Sequence, residues 1–201
     1  MRKKSFIESD AFAKVLAEDV AQAKQRMEND PSDSHRRGFV RTTYSAIEAQ
    51  LWQLKIYVMN HVLDKKTASI HEMSALKEES YAINDKGEIY IQPKGYSLKL
   101  GLRLVFSILK RHGIPIQVDF GSADWKNIDH ALKIRNRVTH PKCMSDISVT
   151  PEEAECCYLA FLYVNNFLLT TILGSALVGI YEAVNKLSTG RSRSSFFSPA
   201  K

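Results

Sequence analysis

Apolar residues that recur every three or four positions constrain the fold of this chain more than any other feature. Such spacing places side chains on one face of an α-helix. It predicts a first helix that ends at Asp30-Pro31 and a second that follows Ser32 and continues to Val58. Further helical segments follow at residues 67–81, at 97–111, at 122–139 and from 150 onward. The sequence therefore predicts a chain built mainly of helices.

One short segment has the character of β-strands. Between residues 83 and 91, two apolar runs flank the turn-forming sequence Asn84-Asp85-Lys86-Gly87, which is typical of a β-hairpin. From residue 188 the sequence loses its apolar period and predicts a flexible basic tail over residues 188–201. We therefore expect an all-α fold, a helical bundle of five to six helices in a single domain over residues 1–187, with a small β-hairpin inserted at about residues 83–92.

Composition limits the classes of function. The chain has 201 residues, of which 44% are hydrophobic and 25% are charged, as in ordinary globular proteins. A formal net charge of +6 favours an anionic partner, because a basic surface attracts phosphates. Three cysteines without ligand spacing indicate reduced thiols, and no apolar segment follows the basic start, so we expect a cytoplasmic protein. No phosphate-binding loop or zinc motif is present in the sequence, so no cofactor and no metal is predicted.

The last helix allows a second interpretation. Residues 156–181 contain no charged side chain, which would also suit a membrane-associated helix. Asn165, Asn166 and Thr170 interrupt this stretch, and polar groups are costly in hydrocarbon without partners. A helix buried within a soluble bundle explains the same composition, and we expect no membrane association.

Arg135 occupies an unusual position on the predicted helix at 122–139. At 100° per residue, the other cations of this helix fall on one side, as expected for a solvated face: Lys126, His130, Lys133 and Arg137. Arg135 instead lies within the apolar side, where a guanidinium needs a partner or a cleft. Stabilisation of the helix C-terminus, or pairing with a buried glutamate, would be purely structural reasons for it.

His140 adds a possible catalytic partner. Pro141 disfavours helical geometry at the residue before it, so the helix should end at His140 and free the imidazole to turn toward Arg135. Asn136 lies between them in sequence and can orient either group. An arginine, a histidine and an amide suit metal-independent phosphodiester cleavage, in which a base takes the ribose 2′-hydroxyl proton and a cation stabilises the transition state.

The pattern Arg135-Asn136-x-x-x-His140 resembles the motif of the HEPN family, and the sequence from Arg41 to Glu48 is similar to the early HEPN helix that packs against it. The resemblance implies an α-helical bundle that forms a homodimer, with two motifs facing a shared cleft. It also implies a ribonuclease, often a toxin or antiviral effector restrained by a partner such as a cognate antitoxin. Arg135 would bind phosphate, Asn136 would support the geometry, and His140 would be the acid or base.

Other residues are candidates for supporting roles. Glu48 lies at the edge of the apolar face of the second helix, where it would hold Arg135 or His140, or be an ordinary solvent-exposed carboxylate. Arg36, Arg37 and Arg41 would line an RNA path or form a solvated face. A non-catalytic HEPN module that binds RNA or a protein partner is the alternative function.

Overall fold

The structure is a computed structural model that describes residues 6–63, 69–114 and 116–191, with side chains described for residues 11–63, 69–114 and 116–171. The described residues form six α-helices and one antiparallel β-hairpin, as expected for an all-α bundle with a hairpin insertion. The helices are α1 Phe6–Asn29, α2 Asp33–Tyr57, α3 Ile70–Leu76, α4 Leu98–Arg111, α5 Ala123–Thr139 and α6 Pro151–Arg191. A π-helical turn at Val58–Val62 extends α2, and a short 3-10 turn at Met144–Ile147 lies between α5 and α6.

Serine side chains fix the beginnings of three helices. Ser32 precedes α2, Ser97 precedes α4 and Ser122 precedes α5. Each hydroxyl accepts a hydrogen bond from a backbone N–H in the first turn, which satisfies a donor that has no partner within the helix. The predicted beginnings of α4 and α5 are therefore confirmed, because this capping chemistry is local and can be read from the sequence.

The prediction of a helix reaching residue 81 is wrong. Helix α3 ends at Leu76, and Glu78 adopts a φ of 56°, a left-handed conformation that cannot continue the helix. The chain then enters β1, Glu79–Ile83, which pairs with β2, Ile89–Pro93, so that Glu79 faces Pro93 and Ile83 faces Ile89. The hairpin thus begins several residues earlier than the sequence pattern indicated.

Helix α2 organises the packing of the bundle. It packs against α1, α4 and α5, and its inward face is buried at Phe39, Ile47 and Leu54. Gly101 permits a close approach of α4 to α2, because a Cβ at this position would lie 2.7 Å from the Leu51 Cδ2 atom. Helix α4 therefore packs closely against α2 at Leu51.

Helix α6 begins with a capping box. The Thr150 N–H donates to a Glu153 carboxylate oxygen, and the Glu153 N–H donates to the Thr150 hydroxyl, at 3.1 and 3.2 Å. The helix continues to Arg191, so residues 188–191 are helical rather than part of a tail, and residues 192–201 lie outside the described residues. By Cα packing the chain divides into two units, Met1–Asn166 and Phe167–Lys201, and a single domain over residues 1–187 stays a prediction. Across the described residues, no helix combines the length and the apolar character needed to cross a membrane.

Candidate functional site

Arg135 is held by three side chains where α5 meets α2. Its guanidinium carbon lies 4.7 Å from the centre of the Tyr44 ring, a cation–π contact. Its Nη2 donates to Glu48 Oε1 at 3.3 Å, and its Nη1 donates to Asn136 Oδ1 at 3.1 Å. The side chain of Arg135 is 28% exposed. The partner that the sequence required for an arginine on this face is therefore a ring and a carboxylate of α2.

Tyr44 provides a buried, neutral surface beneath the guanidinium. The pKa of Tyr44 is raised to about 12, mainly by burial and also by the Glu48 carboxylate, while the Arg135 cation acts in the opposite direction. The phenol therefore stays protonated near neutral pH and is not a general base there. Tyr44 lies in the segment from Arg41 to Glu48, and the sequence alone predicted no role for it in the site. Its place four residues before Glu48 on α2 was the available signal.

His140 lies at the end of α5, as predicted. The helix ends at Thr139, and His140 follows with φ −125° and ψ 59°, outside helical geometry. The His140 N–H donates to the Asn136 carbonyl at 3.0 Å. Within the described residues, the exposed His140 imidazole makes no hydrogen bond or ion pair. Asn136 thus links the two groups, since its side chain accepts from Arg135 and its carbonyl accepts from the His140 backbone.

Arg41 brings a second guanidinium to the same end of α5. Its Nη2 donates to the Val138 carbonyl at 3.2 Å, one of the last carbonyls of the helix, which have no partner within it. A cation there also complements the negative end of the helix dipole. Arg41 is exposed, so it can still reach an anion. This hydrogen bond holds Arg41 at the same helix end as Arg135. RNA binding by Arg41 stays a prediction.

Arg36 and Arg37 have partners within the chain. Arg36 pairs with Asp33, and this pairing is the main reason that the pKa of the Asp33 carboxyl lies below its usual range. Arg37 donates to the Ile147 carbonyl at 2.9 Å. Both guanidinia thus hold the chain around the beginning of α2, which uses part of their donor capacity. An RNA-binding role for them stays a prediction.

The expectation that Arg137 belongs to a solvated face is wrong. Its Nη2 donates to both carboxylate oxygens of Glu153 at 2.7 Å. Its Nη1 donates to backbone carbonyls of the segment between α5 and α6, those of Ser145, Asp146 and Ser148. Its side chain is 26% exposed. Helical angle alone missed this role, because the segment after His140 turns back over that side of α5.

The described residues contain no group of three or more histidine, cysteine, aspartate or glutamate side chains arranged to hold a metal ion. Comparison of the chain with protein-family models, curated proteins and solved structures returned no match. The contacts around Arg135 and His140 are therefore the basis on which a function is assigned.

Proposed function

We propose that this protein is a metal-independent endoribonuclease of the HEPN type, acting at Arg135, Asn136 and His140. The observation that carries the proposal is the fixed position of Arg135 beside a helix end that presents an exposed imidazole. Tyr44, Glu48 and Asn136 hold the guanidinium, and the same Asn136 accepts from the His140 backbone. The cation is thereby held in place, and the imidazole follows five residues later at the same helix end.

Arg135 retains donors for a phosphate. A guanidinium carries five N–H groups, and the hydrogen bonds to Glu48 and Asn136 use two of them. The remaining groups can contact the non-bridging oxygens of a phosphodiester, where charge builds up in the transition state. The exposed Arg41 of α2, which contacts the end of α5, supplies a second cation for the flanking phosphate.

His140 supplies the proton transfers. Attack of the ribose 2′-oxygen forms the P–O2′ bond and breaks the P–O5′ bond, giving a 2′,3′-cyclic phosphate and a 5′-hydroxyl. One group takes the 2′-hydroxyl proton and another protonates the leaving oxygen. Each chain contributes one His140, so a homodimer with two facing motifs would provide both a base and an acid. A nuclease toxin or antiviral effector would also need a restraining partner, such as a cognate antitoxin.

Substitution of His140 tests the proposal. Purified full-length protein is incubated with single-stranded RNA in excess EDTA, beside His140→Ala and His130→Ala. His130 is an exposed histidine of the same helix and is the matched control. We expect cleavage by wild type and by His130→Ala, and a loss of at least about hundredfold in His140→Ala. Cleavage that disappears with EDTA, or survives His140→Ala, would contradict the mechanism.

The Glu48 contact favours one alternative, a non-catalytic module that binds RNA or a protein partner. A carboxylate beside Arg135 offsets its charge and repels a phosphate. In such a module Glu48 and Arg135 would only join α2 to α5. Glu48→Gln separates the two functions: a nuclease in which Glu48 orients Arg135 loses activity, whereas a binding module keeps or gains affinity for RNA and cleaves nothing.

A further inference from the structure

A cleft lies directly beside Glu48, on the side of α2 that faces the beginning of α4. Its volume is about 210 Å³, and it is lined by Glu48, Trp52, Lys55, Glu78 and Tyr96, among others. Pockets for whole drug-sized ligands begin at roughly 300 Å³, so this cleft suits one heterocyclic base. The Trp52 side chain is 46% exposed although it is large and apolar. It offers a stacking surface at the cleft.

The wall of the cleft contains a buried ion pair. Lys55 is only 2% exposed, and its ammonium pairs with the Glu78 carboxylate. The backbone of Glu78 has the left-handed φ of 56° that ends α3, and Gly101 leaves room for the Lys55 side chain, with a Cβ there 3.5 Å from Nζ. An ammonium has three donors and a carboxylate has two acceptor oxygens. The Lys55 ammonium is thus enclosed, whereas the Glu78 side chain is 33% exposed and its carboxylate can accept hydrogen bonds from a ligand in the cleft.

We propose that this cleft is a nucleobase subsite and that guanine is the base that fits it best. Stacking on Trp52 would hold the plane of the base, as aromatic side chains do with unstacked RNA bases. The guanine O6 accepts hydrogen bonds, and its N1–H and N2–H donate on the same edge. N1–H and N2–H would thus donate to the oxygens of the partly exposed Glu78 carboxylate.

The cleft and the candidate nuclease site share a residue. Glu48 lines the cleft and accepts a hydrogen bond from Arg135. A nucleotide bound in the cleft would therefore lie next to the Glu48–Arg135 pair. The assignment of this base to the nucleotide before the cleaved bond rests on the proposed nuclease function, whereas binding of guanine in the cleft does not depend on cleavage.

Nucleotide binding to the full-length protein tests the subsite. The probe is guanosine 3′-monophosphate, compared with inosine 3′-monophosphate, which lacks the N2–H donors, and with the adenosine, cytidine and uridine 3′-monophosphates. Inorganic phosphate is the control for the anion alone. Binding is measured by calorimetry and by tryptophan emission. Of the two tryptophans, Trp125 is 2% exposed, so quenching by a stacked base reports Trp52.

We expect saturable quenching by the guanosine nucleotide and binding at least about tenfold weaker for inosine. Trp52→Ala should weaken calorimetric binding about tenfold or more, and Trp52→Phe should keep binding but lose the quenching. Tyr90→Ala, which removes an aromatic residue of similar exposure on the hairpin, is the matched control. Equal binding of all nucleotides, binding unchanged in Trp52→Ala, or equal binding of inorganic phosphate would overturn the subsite.

The two proposals can fail separately. Selective guanosine binding without any RNA cleavage would support the subsite and remove the nuclease function. RNA cleavage that depends on His140, together with no selective nucleotide binding, would overturn the subsite and leave the nuclease function in place.

Discussion

Arg135 shows how one side chain can be prepared for binding by its neighbours. The Tyr44 ring supports the guanidinium from below, and Glu48 and Asn136 each accept one of its N–H groups. An arginine held in this way loses little further conformational freedom when it binds an anion. The same contacts explain why an arginine is stable on the apolar side of α5, since a cation without partners would be costly there.

The buried phenol of Tyr44 predicts a pH dependence of stability. Burial raises its pKa from 10.0 to about 12, so the folded state keeps a proton that the unfolded chain loses. The stabilisation is thus fully present below about pH 10 and is lost as the pH rises through about 12. In Tyr44→Phe, which keeps the ring under Arg135, the free energy of unfolding should fall less steeply across this range.

Urea unfolding at several alkaline pH values measures this slope. Tyr90→Phe, an exposed tyrosine of the hairpin, is the matched control. The same slope in Tyr44→Phe and wild type would show that Tyr44 does not carry the effect. Cys157, whose pKa burial also raises to about 12, is present in both proteins and contributes equally.

Arg137 joins α5, the segment that follows it and the beginning of α6. Its bidentate pair with Glu153 joins the two helices, and its carbonyl contacts hold the segment between them. Glu153 is also part of the capping box of α6. One ion pair thus connects the end of α5, where His140 lies, to the beginning of α6.

Loss of this ion pair should destabilise the fold. In Arg137→Ala the Glu153 carboxylate and several carbonyls lose a charged donor, and we expect a loss of about 2–3 kcal/mol in the free energy of unfolding. Urea denaturation measures it. Glu155→Gln removes an exposed carboxylate two residues from Glu153 and should stay close to wild type. A change of less than about 0.5 kcal/mol in Arg137→Ala would contradict this role.

The elements differ in how far the sequence could predict them. Serine caps and apolar spacing are local features, so α4 and α5 were placed closely at Ser97 and Ser122. The end of α3 depends on the left-handed backbone at Glu78, which no local preference of glutamate indicates. The role of Arg137 depends on a segment that turns back after Pro141, and helical periodicity carries no information about such tertiary contacts.

The residues of the candidate site also divide into those that the local sequence predicts and those that depend on packing between distant segments. Arg135, Asn136 and His140 are close in sequence, so the spacing and Pro141 were sufficient to select them. Glu48 was selected from its position at the edge of a helix face, and the structure places it against Arg135. The Tyr44 ring and the cleft beside Lys55 and Glu78 arise from packing between distant segments, and the sequence alone did not reveal them.

In the molecule as a whole, the bundle packs α2 against α5, and the sequence carries a formal net charge of +6. Basic proteins attract RNA through its phosphates irrespective of sequence. This attraction alone produces binding, so binding of RNA does not distinguish a nuclease from a binding module. Cleavage at a chosen ribose does distinguish them, because attack by a 2′-hydroxyl needs that group on the nucleotide that is cut.

The central measurement is therefore cleavage of a DNA strand that contains a single guanosine ribonucleotide, incubated with the full-length protein in EDTA. We expect one cut, on the 3′ side of that ribonucleotide, with a 2′,3′-cyclic phosphate on one product and a 5′-hydroxyl on the other. The all-DNA strand should stay intact, and His140→Ala should leave both strands intact. Cutting of the all-DNA strand, or products with a 5′-phosphate, would show that the 2′-hydroxyl is not the nucleophile.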